Sequence, residues 1–180
     1  MAPRMIIRRA VPQDASQVAR VRVLSWRATY RGIVPDSYLD AMDENVDQWR
    51  AVAAGEQKGA ELLVCEVDNR VVGFAAYGAA REPSLGHAGE LYATYHLPEV
   101  MGKGYGRAMM REVTANLRRL GHNDMIVWVM EENARGRAFY ENVMRARFIE
   151  GSRQSFELDG VTIWEVAYCL RPLPDAAAPR

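Results

Sequence analysis

The chain has 180 residues, 49% hydrophobic and 26% charged, which is ordinary usage for one compact domain. Its 23 Lys and Arg balance 23 Asp and Glu, so the formal net charge of zero argues against nucleic acid or an anionic membrane as an electrostatic partner. No apolar run approaches the roughly 18–20 residues of a membrane span, and Met1 to Arg9 holds no signal-peptide core, so a cytoplasmic location is expected.

Met5 to Arg9 reads as a short first strand. Asp14 is a candidate N-cap for a helix to about Thr29, in which Ala15, Val18, Val21 and Ser25 are spaced to face inward. Pro35 falls at or near the first turn of a second short helix, and Glu44 to Gly55 reads as a third helical piece. The pattern then changes to strands. Glu61 to Val67 and Val71 to Tyr77 flank Asp68-Asn69-Arg70, whose Asp and Asn tolerate left-handed conformations, so a hairpin is expected. Gly78 to His87 is read as the connecting loop.

Gly89 to Leu97 is rich in Tyr, Leu and Thr as strands are, and Met109, Val113, Leu117 and Leu120 recur at helical spacing before Gly121. A strand from Met125 to Val129 and a helix from Ala134 complete a β–α–β–α unit, whose crossover implies parallel neighbours. Phe156 to Leu158 and Val161 to Leu170 are joined by Asp159-Gly160, a strong hairpin signal. A single domain over residues 1–172 and a flexible tail over 173–180 are expected, the tail being poor in apolar bulk. Cys65 and Cys169 lie inside strands without CxxC spacing and are read as buried, reduced thiols. His87, His96 and His122 have no shared helix face, so no metal site is expected.

The most specific chemistry lies in Pro98 to Met110, where Gly102, Gly104 and Gly106 separate the strand from the helix. Glycines at such a crossover let backbone N–H groups approach a phosphate, and the first helical turn adds unpaired donors and partial positive charge. Lys103 and Arg107 place full charges beside them. A dinucleotide-binding oxidoreductase is the competing class. Its glycine loop leaves the first strand of the domain almost directly, whereas here Pro98, Glu99 and Val100 intervene and the G-x-G-x-x-G register fails at Arg107.

Two motifs together resemble the GNAT superfamily of N-acetyltransferases. Met101 to Gly106 follows the acetyl-CoA pyrophosphate loop, Arg/Gln-x-x-Gly-x-Gly/Ala, with Met101 standing where the family has Arg or Gln. Asn133 and Tyr140 keep the family's spacing between an Asn after the fifth strand and a Tyr in the following helix. The segment Asn142 to Phe148 is about two residues longer than the family's Leu-Gly-Phe turn. The resemblance covers nearly the whole chain and implies an α/β (α+β) fold. Its mixed central sheet would have about seven strands flanked by helices, splayed between strands four and five.

It also implies acetyl-CoA as co-substrate, held at Thr94, Tyr95, His96, Met101, Gly102, Lys103, Gly104, Tyr105, Gly106, Arg107 and Asn133, with the pantetheine arm lying in the splay as an added strand would. Glu90 matches the position of the family's base where one exists; as a bare residue it reads equally as a salt-bridge partner. Backbone donors near His96 would hold the oxyanion, and Tyr140 would protonate the departing thiolate. His96 otherwise reads as a structural histidine, Tyr140 as a core tyrosine and Asn133 as a helix N-cap. Trp26 and Tyr30, one turn apart, are candidates for an acceptor wall and equally for core. Neither cysteine is placed like an activated nucleophile, so direct transfer to an unidentified small-molecule or peptide amine is expected. A catalytically silent acyl-CoA-binding protein is the alternative. The exposed strands of the C-terminal hairpin make a homodimer reasonable.

Overall fold

The computed structural model describes residues 4–81 and 89–174. Strand β1 (Met5–Arg9) leads through a short turn into α1 (Ala15–Tyr30). Asp14 stands at the helix entry as expected, but its carboxylate caps no helical N–H. It accepts instead from the Val11 N–H at 2.8 Å and from Arg8 at 2.7 and 2.9 Å. Arg8 reaches Glu66 as well, tying α1's start to two strands. Ala15, Val18, Val21 and Ser25 are buried, as their spacing requires. Helix α2 (Asp36–Ala41) follows Pro35, and α3 (Val46–Ala53) follows Asn45.

Strands β2 (Ala60–Val67) and β3 (Arg70–Ala79) form a hairpin through Asp68 and Asn69 at φ 48° and 65°. Two left-handed residues give a turn whose twist suits the flanking strands. Next come β4 (Gly89–His96), α4 (Tyr105–Arg119), β5 (Met125–Met130) and α5 (Ala134–Ala138). A π-helical turn, Phe139–Val143, extends α5, with the Met144 N–H donating to the Phe139 carbonyl at 3.0 Å. It widens the helix just where the sequence is longer than the family pattern. Strands β6 (Arg147–Phe148), β7 (Gln154–Leu158) and β8 (Val161–Leu170) complete the sheet.

The sheet runs β1-β2-β3-β4-β5-β8-β6, with β7 also on β8, and among the strand pairings of the described residues only β4–β5 is parallel. Among the described residues eight strands stand where about seven were expected. The addition is β6, which at two residues is too short to show alternation. Phe74 and Tyr77 of β3 face opposite sides and define the two helical layers. Trp49 of α3 packs on Phe74, ring centroids 4.9 Å apart, while Asn116 of α4 donates to the Tyr77 hydroxyl at 2.7 Å.

One irregularity shapes the centre. Ala76 pairs with Ala93 and Tyr77 with Leu91, so Tyr92 is an extra residue in β4. A bulge of this kind bends its strand and reverses which side chains face which side beyond it. Pairing of β4 with β5 is confined to Glu90↔Ile126 and Leu91↔Val127. Past the bulge the strands part, as the splay between strands four and five requires.

Four expectations need correction. The tail does not begin at 173: Leu173 is 1% exposed in the core, its N–H donates to the Asn123 carbonyl, and its own carbonyl accepts from Arg118 at 2.7 Å. One well-placed leucine outweighs the poor composition around it. Residues 175–180, the rest of that tail, and residues 82–88 of the expected connecting loop, with His87, lie outside the described residues. Cys169 is half-buried rather than buried, whereas Cys65 is enclosed and burial pushes its thiol up to about 11. The third-helix and connecting-loop bounds shrink to α3 and to the residues after Ala79. Among the described residues, no helix is long and apolar enough to cross a membrane.

Candidate active site

A cavity of about 450 Å³ occupies the gap between β4 and β5. Its walls are Leu91 to His96 of β4, Val127 to Val129 of β5, the turn ahead of α4, and one side of α5. Tight backbone geometry forms the turn: Gly102 and Gly104 have φ 80° and 84°, and Gly104 is the N-cap of α4. A side chain at either would strain the left-handed backbone, although the space around both is open. The first turn of α4 therefore presents N–H donors, and the positive end of its dipole, toward the cavity mouth.

Most residues read from the sequence converge here. Thr94, Tyr95, His96, Met101, Gly102, Gly104, Gly106, Arg107, Asn133, Tyr30 and Tyr140 line the cavity. Lys103 does not; it is exposed. Tyr105 is half-buried against the core, and Trp26 sits one layer behind the wall. Thr29, Arg135 and Phe139 line the cavity and were missed. Arg135 and Phe139 fall inside the Asn133–Tyr140 spacing, so that motif could have pointed to them.

Three tyrosines line the cavity, Tyr30, Tyr95 and Tyr140, each bearing a hydroxyl. The hydroxyls of Tyr30 and Tyr95 are 3.4 Å apart. Burial raises all three phenols above their usual value, Tyr95 most plainly, and for Tyr140 the nearby Tyr30 adds to it. They stay protonated at neutral pH. Around them Trp26 meets Tyr30 edge-on at 4.8 Å, with Tyr38 and Tyr95 at 6.1 and 6.2 Å. Tyr140 stacks on Tyr168 at 6.4 Å. The Tyr168 hydroxyl donates to Glu141 and accepts from Arg137 at 2.9 Å, which fixes that ring.

Asn133 is the N-cap of α5, its Oδ1 accepting from the Gly136 N–H at 2.9 Å. The capping alternative holds, and the residue still faces the cavity. His96 is kept neutral, since burial lowers its imidazole to about 4. Its Nε2 is buried with no hydrogen-bond partner among the described residues. Gly73 makes room for it: a Cβ there would lie 2.3 Å from the ring.

Glu90 is placed differently from the rest. By the register reversal at Tyr92 it lies on the sheet face that carries Tyr30 and Tyr95, yet it does not line the cavity and is 1% exposed. Its Oε2 accepts from the Arg81 N–H at 2.7 Å and its Oε1 from Arg81 Nε at 3.0 Å. The salt-bridge alternative is therefore what the geometry displays.

A family model described as the acetyltransferase (GNAT) family matches residues 20–144, more than half of the chain. The chain belongs to the GNAT family. Among its relatives, the uncharacterized N-acetyltransferase YuaI of Bacillus subtilis is 35% identical over 162 residues, 89% of each chain. Rv2775 of Mycobacterium tuberculosis, described as a probable N-acetyltransferase, is 26% identical over 170 residues, 91% of this chain and 92% of that one. Solved structures share the fold. Salmonella typhimurium yncA, with its cofactor acetyl-CoA, superposes with a TM-score of 0.70 over 98% of both chains at 22% identity. The PaiA N-acetyltransferase of Thermoplasma acidophilum, in complex with coenzyme A, gives 0.69 over 91% of this chain and 98% of that one at 19% identity.

Proposed function

We propose that this GNAT protein transfers the acetyl group of acetyl-CoA directly to a primary amine of a small molecule or peptide. The observation that carries the reading is one continuous cavity, in the gap where β4 leaves β5, lined by the Gly102–Gly106 turn and by Tyr140. The residues present fit acetyl-CoA. The α4 N-terminus and Arg107 suit a pyrophosphate, the unpaired β4 edge suits amide groups, and the orphaned His96 Nε2 is a polar partner in waiting. Met101 offers no polar group, so the turn relies on backbone donors. Acetyl-CoA supplies an activated thioester carbonyl.

The chain's residues then have separable tasks. Asn133 and the β4 edge orient the pantetheine arm, and backbone donors near His96 stabilise charge on the carbonyl oxygen. Tyr140, protonated at neutral pH, gives its proton to the departing thiolate. Glu90 serves as base for the amine only when Arg81 releases it; paired, it fixes the charge beside the acceptor face. Trp26 and Tyr30 form the acceptor wall. The same reading extends to a homodimer through the C-terminal edge, where Phe148, Val161 and Trp164 are exposed.

Amine-dependent release of CoA thiol from acetyl-CoA tests the reading. Screening polyamines, amino acids, aminoglycosides and peptide amines is expected to find turnover. Binding of acetyl-CoA without turnover on any amine would favour a silent acyl-CoA-binding protein instead.

A further inference from the structure

We propose that the Tyr30 hydroxyl and the Glu165 carboxylate form the route by which the acceptor's proton leaves the cavity, a proposal that rests on the acetyltransferase reading above. Tyr30 ends α1, is 6% exposed, and brings its hydroxyl to the cavity wall beside that of Tyr95. Behind its ring lies an apolar cluster that includes Met130 and Ile163. Met130 of β5 pairs directly with Glu165 of β8. Ile163 and Glu165 are two apart on one strand and so share a sheet face. Glu165 therefore belongs to the face against which Tyr30 packs, and it is half-buried, with one side toward water.

The side chains around the pair suit this task. Gln154 of β7 donates to Glu165 Oε1 at 2.8 Å and holds the carboxylate. From β4 comes the Tyr95 hydroxyl; from α5 and its π turn come Asn133 and Tyr140; from the segment that follows β3 comes Arg81, whose charge interacts with Glu165 as well as Glu90. Burial, with the Glu165 charge adding to it, holds Tyr30 as a neutral phenol. A neutral hydroxyl accepts one proton as it donates another, which is what a relay needs. Glu90 cannot serve in the same way while both its oxygens are engaged by Arg81.

The protons balance. An ammonium acceptor loses two on becoming an amide. One passes through Tyr30 to Glu165 and on to solvent before the nitrogen forms its bond to the carbonyl carbon. As the C–S bond breaks, the thiolate takes the Tyr140 proton, and the second nitrogen proton restores Tyr140.

The test compares Glu165→Gln, Tyr30→Phe and the double variant with the parent, following CoA thiol release with spermidine, L-lysine, kanamycin and a lysyl peptide from pH 7 to 10. At pH 7 each single variant should lose about 10²-fold in kcat/KM for the acceptor, the size of a general-base contribution. The loss should shrink to a few-fold near pH 10, where an alkylamine of pKa about 10 is already half deprotonated. Acetyl-CoA affinity should stay within about twofold, and the double variant should be no slower than the slower single, since both act on one path. Unchanged turnover at pH 7, a loss equal at every pH, or multiplying losses would each overturn the relay. A parent that acetylates none of these amines overturns the acetyltransferase reading itself, which is a different result.

Discussion

Tyr140 is held from two sides, by Phe139 edge-on at 5.3 Å and by Tyr168 stacked beneath it, and Tyr168 is in turn fixed by Glu141 and Arg137. A side chain so constrained is in place before any substrate arrives. Tyr140→Phe keeps the ring and its stacking but removes the proton. Its kcat should fall by roughly 10²–10³-fold with acetyl-CoA affinity unchanged, as read by steady-state kinetics beside calorimetry. Full turnover in that variant would remove Tyr140 from the chemistry. His96 makes a separate prediction about stability. Its folded-state pKa of about 4 lies below the ordinary value of 6.5, so between those values the unfolded chain binds the extra proton. Stability is unaffected above about pH 6.5 and falls below it, by at most about 1.4 kcal/mol per pH unit down to about pH 4. Urea midpoints at pH 7.5, 6 and 5 should drop more steeply in the parent than in His96→Gln; equal slopes would contradict the neutral, enclosed imidazole.

At the scale of elements, two local departures from regularity create the site. The extra residue at Tyr92 bends β4 away from β5, and the left-handed glycines at 102 and 104 turn the chain into α4. Deleting Tyr92 should let the β3–β4 ladder run without a break and extend β4–β5 pairing. The expected result is a folded protein, by circular dichroism, whose acetyl-CoA affinity is reduced tenfold or more. Gly104→Ala should weaken acetyl-CoA binding about tenfold, because a left-handed alanine costs roughly 1–2 kcal/mol at the N-cap. The glycine turn was legible in the sequence, since glycine takes that backbone at the least cost and three in alternation are conspicuous. The bulge was not. Tyr92 is an ordinary strand residue, and only its partners on β3 reveal that it is supernumerary. Glu90 illustrates the same limit: its identity was legible, but its enclosure by Arg81 depends on a residue nine positions away whose role no local pattern discloses.

Across the whole molecule, strand and helix order was legible because the periodicity switches cleanly from two to 3.6 and the hairpins carry Asp-Asn and Asp-Gly turns. The exceptions lie near the C-terminus. Strand β6 has two residues, and the π turn is an extra hydrogen-bonded ring rather than a composition, so neither leaves a periodic trace. Leu173 escaped for a related reason, its burial resting on a single side chain. This end of the sheet exposes Phe148 of β6 and Val161 and Trp164 of β8, the last with Arg153 stacked 3.6 Å above its ring. If this edge is the dimer contact, light scattering should show a dimer for the parent and a monomer for a Phe148→Asp/Trp164→Ala variant; a monomeric parent would contradict it.

The predictions about turnover and acetyl-CoA affinity presuppose that the gap between β4 and β5 receives acetyl-CoA. Calorimetric titration of the purified protein with acetyl-CoA, with CoA and NAD as parallel ligands, tests that most directly. The account predicts micromolar binding of acetyl-CoA and CoA and none of NAD. Absence of acetyl-CoA binding would contradict it and would mark Met101 as the sign of a lost phosphate site.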